Sequence, residues 1–322
     1  MYKFKALAIA ALCLSAASTS AAEMVITSEN PPSHWKSQQL DALAADISKR
    51  TDGRIAAKTY HATLYKGDKE ALEAVGTGAV HMVWPASTRM EALAPAFSLL
   101  TVPFGLTDEQ MSDPARQLRV ATVLSALVED RGLQVLGIAR ATEAVIVGKK
   151  HVETLEDLKG LKIRAPGSPL MTDMLAAMGA GSVSLAASEM ATALSQGAID
   201  GAFTSAGGWK TIGATVAPYG VQAAGLNIAS YTVVVDKSWL DRLDAADRDA
   251  VVAATFELMQ RQWQEAKAGD DAALEEMREA GATVTRIEGA ALEPFKAAMT
   301  PVREKYMSQY ADVSAQLQEA LK

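Results

Sequence analysis

Short apolar runs alternate with longer stretches of helical periodicity through most of this chain. Met24 to Thr27 reads as a strand. Trp35 to Lys49 carries Leu40, Leu43, Ala44 and Ile47 at helical spacing and ends at Thr51-Asp52-Gly53. Ile55 to Tyr60 is strand-like again. Further strands are predicted over Val80 to Trp84, Leu133 to Ile138, Ala144 to Val147, Leu161 to Arg164 and Ile199 to Phe203. Tyr231 to Val235, Tyr-Thr-Val-Val-Val, has the strongest β character, because branched and aromatic side chains suit a pleated surface. A long helix, rich in Ala, Glu, Gln, Arg and Met, is predicted from Ala245 to Ala280 and stops at Gly281. The C-terminus reads as mainly helical. Strands alternating with helices predict an α/β fold.

The pattern repeats. Glu70 to Trp84 aligns without gaps with Glu189 to Phe203, at a constant spacing of 119 residues. Each copy is a helix ended by glycine, then a strand closing on an aromatic. Asp68 and Ser188 stand where N-caps are expected. Small polar residues follow each strand: Ser87 and Thr88 in one copy, Thr204 and Ser205 in the other. Ligands of open α/β sheets sit outside the carboxyl ends of the strands. Two similar lobes with facing strand ends make an interlobe ligand cleft. No flexible linker is evident, so the lobes are expected to share crossing elements, the long helix spanning both.

The first residues change the picture. Lys3 and Lys5 precede a short apolar run, Ala6 to Ala17, and Ser20-Ala21-Ala22 offers small residues for cleavage. This reads as a signal peptide over 1–22, with a mature chain from Glu23. The run is too short to span a membrane, which takes ~20 residues, so no membrane insertion is expected after processing. Cys13, the one cysteine, leaves with the leader. A lipoprotein reading of Cys13 fits less well, because Leu12 stands directly before it. A thiol-free mature chain excludes disulfides and Cys-ligated metal. The leader holds two of the 31 basic residues and none of the 38 acidic ones, so 29 against 38 remain, a net −9. A general nucleic-acid surface is therefore excluded. An anionic ligand must be drawn by local positive charge.

Enzyme and cofactor motifs are absent: no nucleophile elbow, phosphate loop, dinucleotide fingerprint or zinc-protease helix. No cofactor, metal or catalytic residue is expected. His34, His61, His81 and His151 lack metal-ligand spacing. Arg164 stands out instead. It ends an apolar run before Ala165-Pro166-Gly167, which presents a guanidinium at a strand end. Such a fork suits a carboxylate.

The block Asp157-Leu-Lys-Gly-Leu-Lys-Ile-Arg164 also resembles the solute-binding proteins of TRAP transporters, the tripartite ATP-independent periplasmic family first known for C4-dicarboxylates. So do Gly53-Arg-Ile, Pro95 with Pro103-Phe104, Ser188-Glu189, Ala193-Leu194, Gly197-Ala-Ile-Asp-Gly201 and the long helix after Trp239. The resemblance covers essentially the whole mature chain. It implies a two-lobed periplasmic receptor, with lobe I over 23–141 plus about 230–269 and lobe II over 142–229 plus about 270–322. It implies a small organic acid as ligand, the TRAP permease membrane subunits as partners, and a monomer. Arg164 matches the arginine that forms a two-pronged salt bridge to the ligand carboxylate. A second arginine, common in the family some twenty residues upstream, is replaced by Thr142-Glu143-Ala144-Val145. Arg140 lies four positions early, and its direction is left open. Arg89 matches a position that can reach polar parts of a ligand, or it is a surface residue. Glu29, Ser87 and Thr204 fall at strand ends that can contact the ligand, with Thr204 where asparagine is common. Trp209 is either a flat apolar wall or core, whereas Phe203 reads as core. Ala187 and Gly167 leave room where the family often has larger side chains. These features favour a monoacid with a bulky or partly apolar body, with a sulfonate as an alternative. The rival readings are a receptor for another importer or for signalling, a secreted hydrolase using Ser87 or Ser205, and a purely structural secreted domain.

Overall fold

The computed structural model describes residues 21–322, apart from Ser33, Lys66 and 186–188. The leader up to residue 20 and Ala187 therefore lie outside the described residues. The chain begins with β1 (Ala22–Ser28), α1 (Trp35–Arg50), β2 (Ile55–His61), α2 (Asp68–Ala74) and β3 (Met82–Val83). Two 3-10 turns, Ser87–Ala92 and Pro95–Leu100, lead to α3 (Asp108–Met111), α4 (Pro114–Ala126) and β4 (Leu133–Glu143). The next segment is β5 (Val145–Gly148), β6 (Lys162–Ala165), α5 (Pro169–Ala177), β7 (Gly181–Ser184), α6 (Met190–Gln196), β8 (Gly201–Thr204), α7 (Ala206–Ile212) and β9 (Tyr219–Ala223). The last is β10 (Ile228–Asp236), α8 (Lys237–Arg242), α9 (Ala245–Glu279), β11 (Thr283–Ile287), α10 (Glu293–Gln309) and α11 (Ala311–Ala320).

Two mixed sheets result. The first has the order β2-β1-β3-β10-β4, and the second β7-β6-β8-β5-β9-β11. In the first, β1 is parallel to β2 and β3, while β10 runs antiparallel to β3 and β4. In the second, β6 is parallel to β7 and β8, while β5 runs antiparallel to β8 and β9. The lobes thus share one topology. The repeat spacing holds in the pairing: Ile26 and Thr27 face Met82 and Val83, and Ile163 and Arg164 face Gly201 and Ala202. Arg164 is therefore the counterpart of Thr27. The caps differ from expectation. Gly67 caps α2 and Asp68 is its first helical residue; Ser188 is among the residues not described.

Each lobe borrows its antiparallel strand from the other half of the chain. β4 passes into β5 through Ala144 alone, and β9 returns to β10 through 224–227. The two crossings are bonded together, Ala144 N–H donating to the Asn227 carbonyl at 3.0 Å. The long helix α9 bridges both lobes. Its Val251, Ala254, Leu258 and Met259 pack in the core of the first sheet, and Ala273, Leu274 and Met277 in that of the second. A Cβ on Gly137 would lie 2.7 Å from the Met259 side chain, so glycine allows α9 to sit directly on β4. The C-terminus departs from the expected division. α11 packs on α4 of the first lobe, burying Leu317 and Ala320, and Arg119 Nε donates to the Ala320 carbonyl at 2.9 Å.

Arg140 anchors this junction. A bulge between Arg140 and Thr142 interrupts pairing with β10. The Gln262 amide takes up both backbone groups of Arg140, at 2.8 and 2.7 Å. The guanidinium, 1% exposed, donates to Asp108 at 2.8 Å and to Asp270 at 2.5 Å. Asp270 also accepts from the Thr142 hydroxyl and Glu143 N–H, and Asp108 from the Trp263 indole. Arg140 thus faces two aspartates and not the cleft. Removing one partner of a buried charge pair costs about 3–5 kcal/mol. We expect Arg140→Ala to lose that much stability in urea unfolding, and the exposed Arg89→Ala to stay within about 0.5 kcal/mol. A loss below about 1 kcal/mol for Arg140→Ala would remove its structural role.

Candidate functional site

The carboxyl ends of β1 and β3 in one lobe, and of β6 and β8 in the other, supply the candidate site. Arg164 is the penultimate residue of β6 and only 7% exposed. Its Nε donates to the Leu185 carbonyl at 2.9 Å, just past β7. Its Nη1 donates to the Phe203 carbonyl in β8 at 3.3 Å. These neutral acceptors fix the plane of the guanidinium without neutralising it. No carboxylate pairs with it among the described residues. Burial pulls its pKa below the ordinary guanidinium value, yet a guanidinium remains charged in a protein. A buried, uncompensated cation is costly. An anionic ligand would supply the missing counter-charge.

The other expected residues separate into two groups. Thr204 closes β8, half-buried, and its hydroxyl has no hydrogen bond among the described residues. Glu29, one residue past β1, is exposed, and its carboxylate lies over Gly67. It also raises the pKa of His34, which burial first and Lys36 second hold below the ordinary value. Arg89 is exposed and borders a cavity of about 820 Å³. That cavity takes Thr88 and Arg89 from the first lobe, Gly167 and Ser168 from the second, and Tyr306 from α10.

Ser87 and Trp209 lie in the interior. The Ser87 hydroxyl, fully buried, hydrogen-bonds Ser230 at 2.8 Å and Thr232 at 2.9 Å, which pins the 3-10 turn to β10. The Trp209 ring is fully buried against Gly220, and its indole N–H donates to the Ala217 carbonyl at 2.8 Å. It is core of the second lobe, so the expected flat wall is not there. Next to Ala144, where the resemblance implies a second arginine, Glu143 accepts from Gly225 N–H at 2.8 Å and Arg286 at 3.2 Å. This position braces the crossing strands.

Sequence reasoning missed Glu91. It sits inside the apolar stretch from Met90 to Leu100, and that isolation was the available signal. It lines the cavity, half-buried, with Oε1 removed from water and unpartnered among the described residues. Burial pushes its pKa up to about 7.

The fold is thus two-lobed, and Arg164 at the end of β6 is the one buried guanidinium without a carboxylate partner among the described residues. Residues 26–309 match the family model of the bacterial extracellular solute-binding proteins, family 7, and the chain belongs to that family. The expected TRAP-type solute receptor is thus met. The chain is 28% identical over 270 residues to the C4-dicarboxylate-binding periplasmic protein DctP of Rhodobacter capsulatus, covering 80% of this chain and 78% of that one. Among solved structures it resembles a TRAP periplasmic solute-binding protein from Ochrobactrum anthropi with its C-terminus bound in the ligand pocket, at TM-score 0.86 and 22% identity, over 94% and 95% of the two chains. It also resembles a Bordetella pertussis extracytoplasmic solute receptor binding pyroglutamic acid, at TM-score 0.78 and 23% identity, over 94% and 99%. No helix among the described residues is long and apolar enough to cross a membrane.

Glu91 gives a pH test. Its folded pKa lies above its ordinary 4.5, so the folded state holds an extra proton from about 4.5 to about 7. Stability from this group is present below that window and is lost as pH rises through it. Between about pH 5 and pH 8, wild-type melting temperature should therefore fall relative to Glu91→Gln. A constant difference between the two would show that Glu91 titrates as an exposed carboxyl.

Proposed function

We propose that this receptor captures a small organic acid with one carboxylate, held by Arg164 in the interlobe cleft, and delivers it to the membrane subunits of a TRAP permease without chemical change. The observation that carries this reading is the buried Arg164 guanidinium, oriented by two carbonyls and lacking a carboxylate partner among the described residues. Lobe closure over the bound acid excludes water and strengthens the ion pair. Thr204 supplies an open hydroxyl beside it. Ala144 stands where the resemblance implies a second arginine to serve a second carboxylate, which favours a monoacid.

A thermal-shift panel of organic acids identifies the ligand, since an acid at 100 times its Kd stabilises by ~2.7 kcal/mol. With that acid, Arg164→Ala should weaken binding on the order of a hundredfold or more by calorimetry, with the fold retained. Arg164→Lys should also bind poorly, because an ammonium lacks the planar fork. An Arg164→Ala affinity within about threefold of wild type would reject the anchor. A dicarboxylate that binds more tightly than its matched monoacid, with the advantage lost in Arg89→Ala, would overturn the monoacid reading.

The receptor works in the periplasm as a soluble chain beginning near Glu23. Glu23 already lies in β1, paired with Ala56, so cleavage after Ala22 keeps the strand. Intact mass of the secreted form should match a start at Glu23; a mass that retains Cys13 would exclude it.

A further inference from the structure

The cavity that Arg89 borders holds polar groups that a carboxylate anchor leaves unused. Ser98 and Ser168 line it, at 2% and 8% exposure, and neither hydroxyl has a hydrogen-bond partner among the described residues. Ser168 precedes α5 at the N-cap position, yet its side chain does not cap the helix. Glu91 lines the same cavity with its unpartnered Oε1. A buried polar group left unsatisfied costs about 1–3 kcal/mol. Three of them on one cavity, drawn from both lobes, point to a ligand group that is to be received there.

Charge selects the group. Of the titratable residues around Glu91, Arg89 on the same turn is exposed and makes no bond to it. On α2, Lys69 faces Glu73 at 4.0 Å. On α10, Lys305 and the Tyr306 hydroxyl are bonded to Asp173 of α5, at 2.7 and 3.0 Å, and Tyr310 is the remaining phenol. Glu91 therefore has no cationic partner among the described residues. One carboxylate and two hydroxyls offer three acceptors. A primary ammonium carries three N–H donors and one positive charge. A lone neutral hydroxyl would fill fewer of these positions and leave the carboxylate uncompensated.

We propose that this cavity is a second subsite, which takes a protonated amine of the solute, so that the receptor binds an acid bearing an ammonium group away from its carboxylate. This rests on the reading of Arg164 as the carboxylate anchor. Gly167, three residues beyond Arg164, borders the cavity and places it beside the carboxyl end of β6. A side chain at Gly167 would press on the Ser184 hydroxyl, 2.8 Å from an added Cβ, so glycine lets this loop pack closely on the end of β7. Because burial raises Glu91 to about 7, an arriving ammonium should expel its proton near neutral pH.

The test is calorimetry of the mature protein at about pH 8 with γ-aminobutyrate, δ-aminovalerate and ε-aminocaproate, each beside the alkanoate and ω-hydroxy acid of equal length. At least one amino acid should bind about tenfold or more tightly than its alkanoate and hydroxy acid. Glu91→Gln should abolish that preference and leave alkanoate affinity within about threefold. Ser168→Ala should reduce the preference in part. Near neutral pH, binding should release protons in wild type and not in Glu91→Gln. An undiminished preference in Glu91→Gln, a hydroxy acid that equals the amino acid, or no binding by any amino acid in the series overturns the amine subsite. If Arg164→Ala binds every acid as wild type does while Glu91→Gln still loses the preference, the carboxylate anchor fails and the amine subsite stands.

Discussion

The bond between β4 and α9 at Arg140 is the constraint on which the two-lobed arrangement depends. The bulge falls between Arg140, paired with Ser230, and Thr142, paired with Ala229, and Gln262 bonds both backbone groups of Arg140. The guanidinium then draws α3 and α9 together through Asp108 and Asp270. All this lies just before Ala144, where the chain leaves one sheet for the other. The junction is therefore tied down on the α9 side, and the proposed closure would have to bend the few residues of the crossing segments.

The two arginines illustrate opposite solutions to burying the same cation. Arg140 is compensated by two carboxylates and makes structure. Arg164 is met only by the Leu185 and Phe203 carbonyls, which orient it without cancelling its charge. Its counterpart in the other lobe is Thr27, whose hydroxyl bonds the Tyr60 carbonyl. Duplicated topology thus places a neutral donor on one strand end and a cation on the matching one. In a chain with net charge −7, such a local cation is what an anion would need against the overall field, the role proposed for Arg164.

The strand and helix pattern was legible because burial on one face imposes a period on the sequence. β1, α1, β10 and α9 fall within a few residues of their expected limits. The repeat was legible for the same reason, and it correctly paired β3 with β8. The short strands β7, β9 and β11 were not foreseen; β7 and β9 together contain Gly181, Ser182, Ser184 and Gly220, residues of low β propensity. Their pairing partners, not their composition, hold them in the sheet.

Sequence by itself determined the α/β class, the doubled lobes and Arg164 at a strand end. Each depends on periodicity or on local motif, which neighbours in the chain suffice to express. Tertiary structure alone decided which polar and aromatic residues remain available. Ser87 is taken by Ser230 and Thr232, more than 140 residues away in the chain. Trp209 is turned into the core by its fit over Gly220. Glu91 becomes a half-buried carboxyl in a cavity that α10 and Gly167–Pro169 help to line. Desolvation and counter-charge are set by groups distant in sequence, and no local pattern records them.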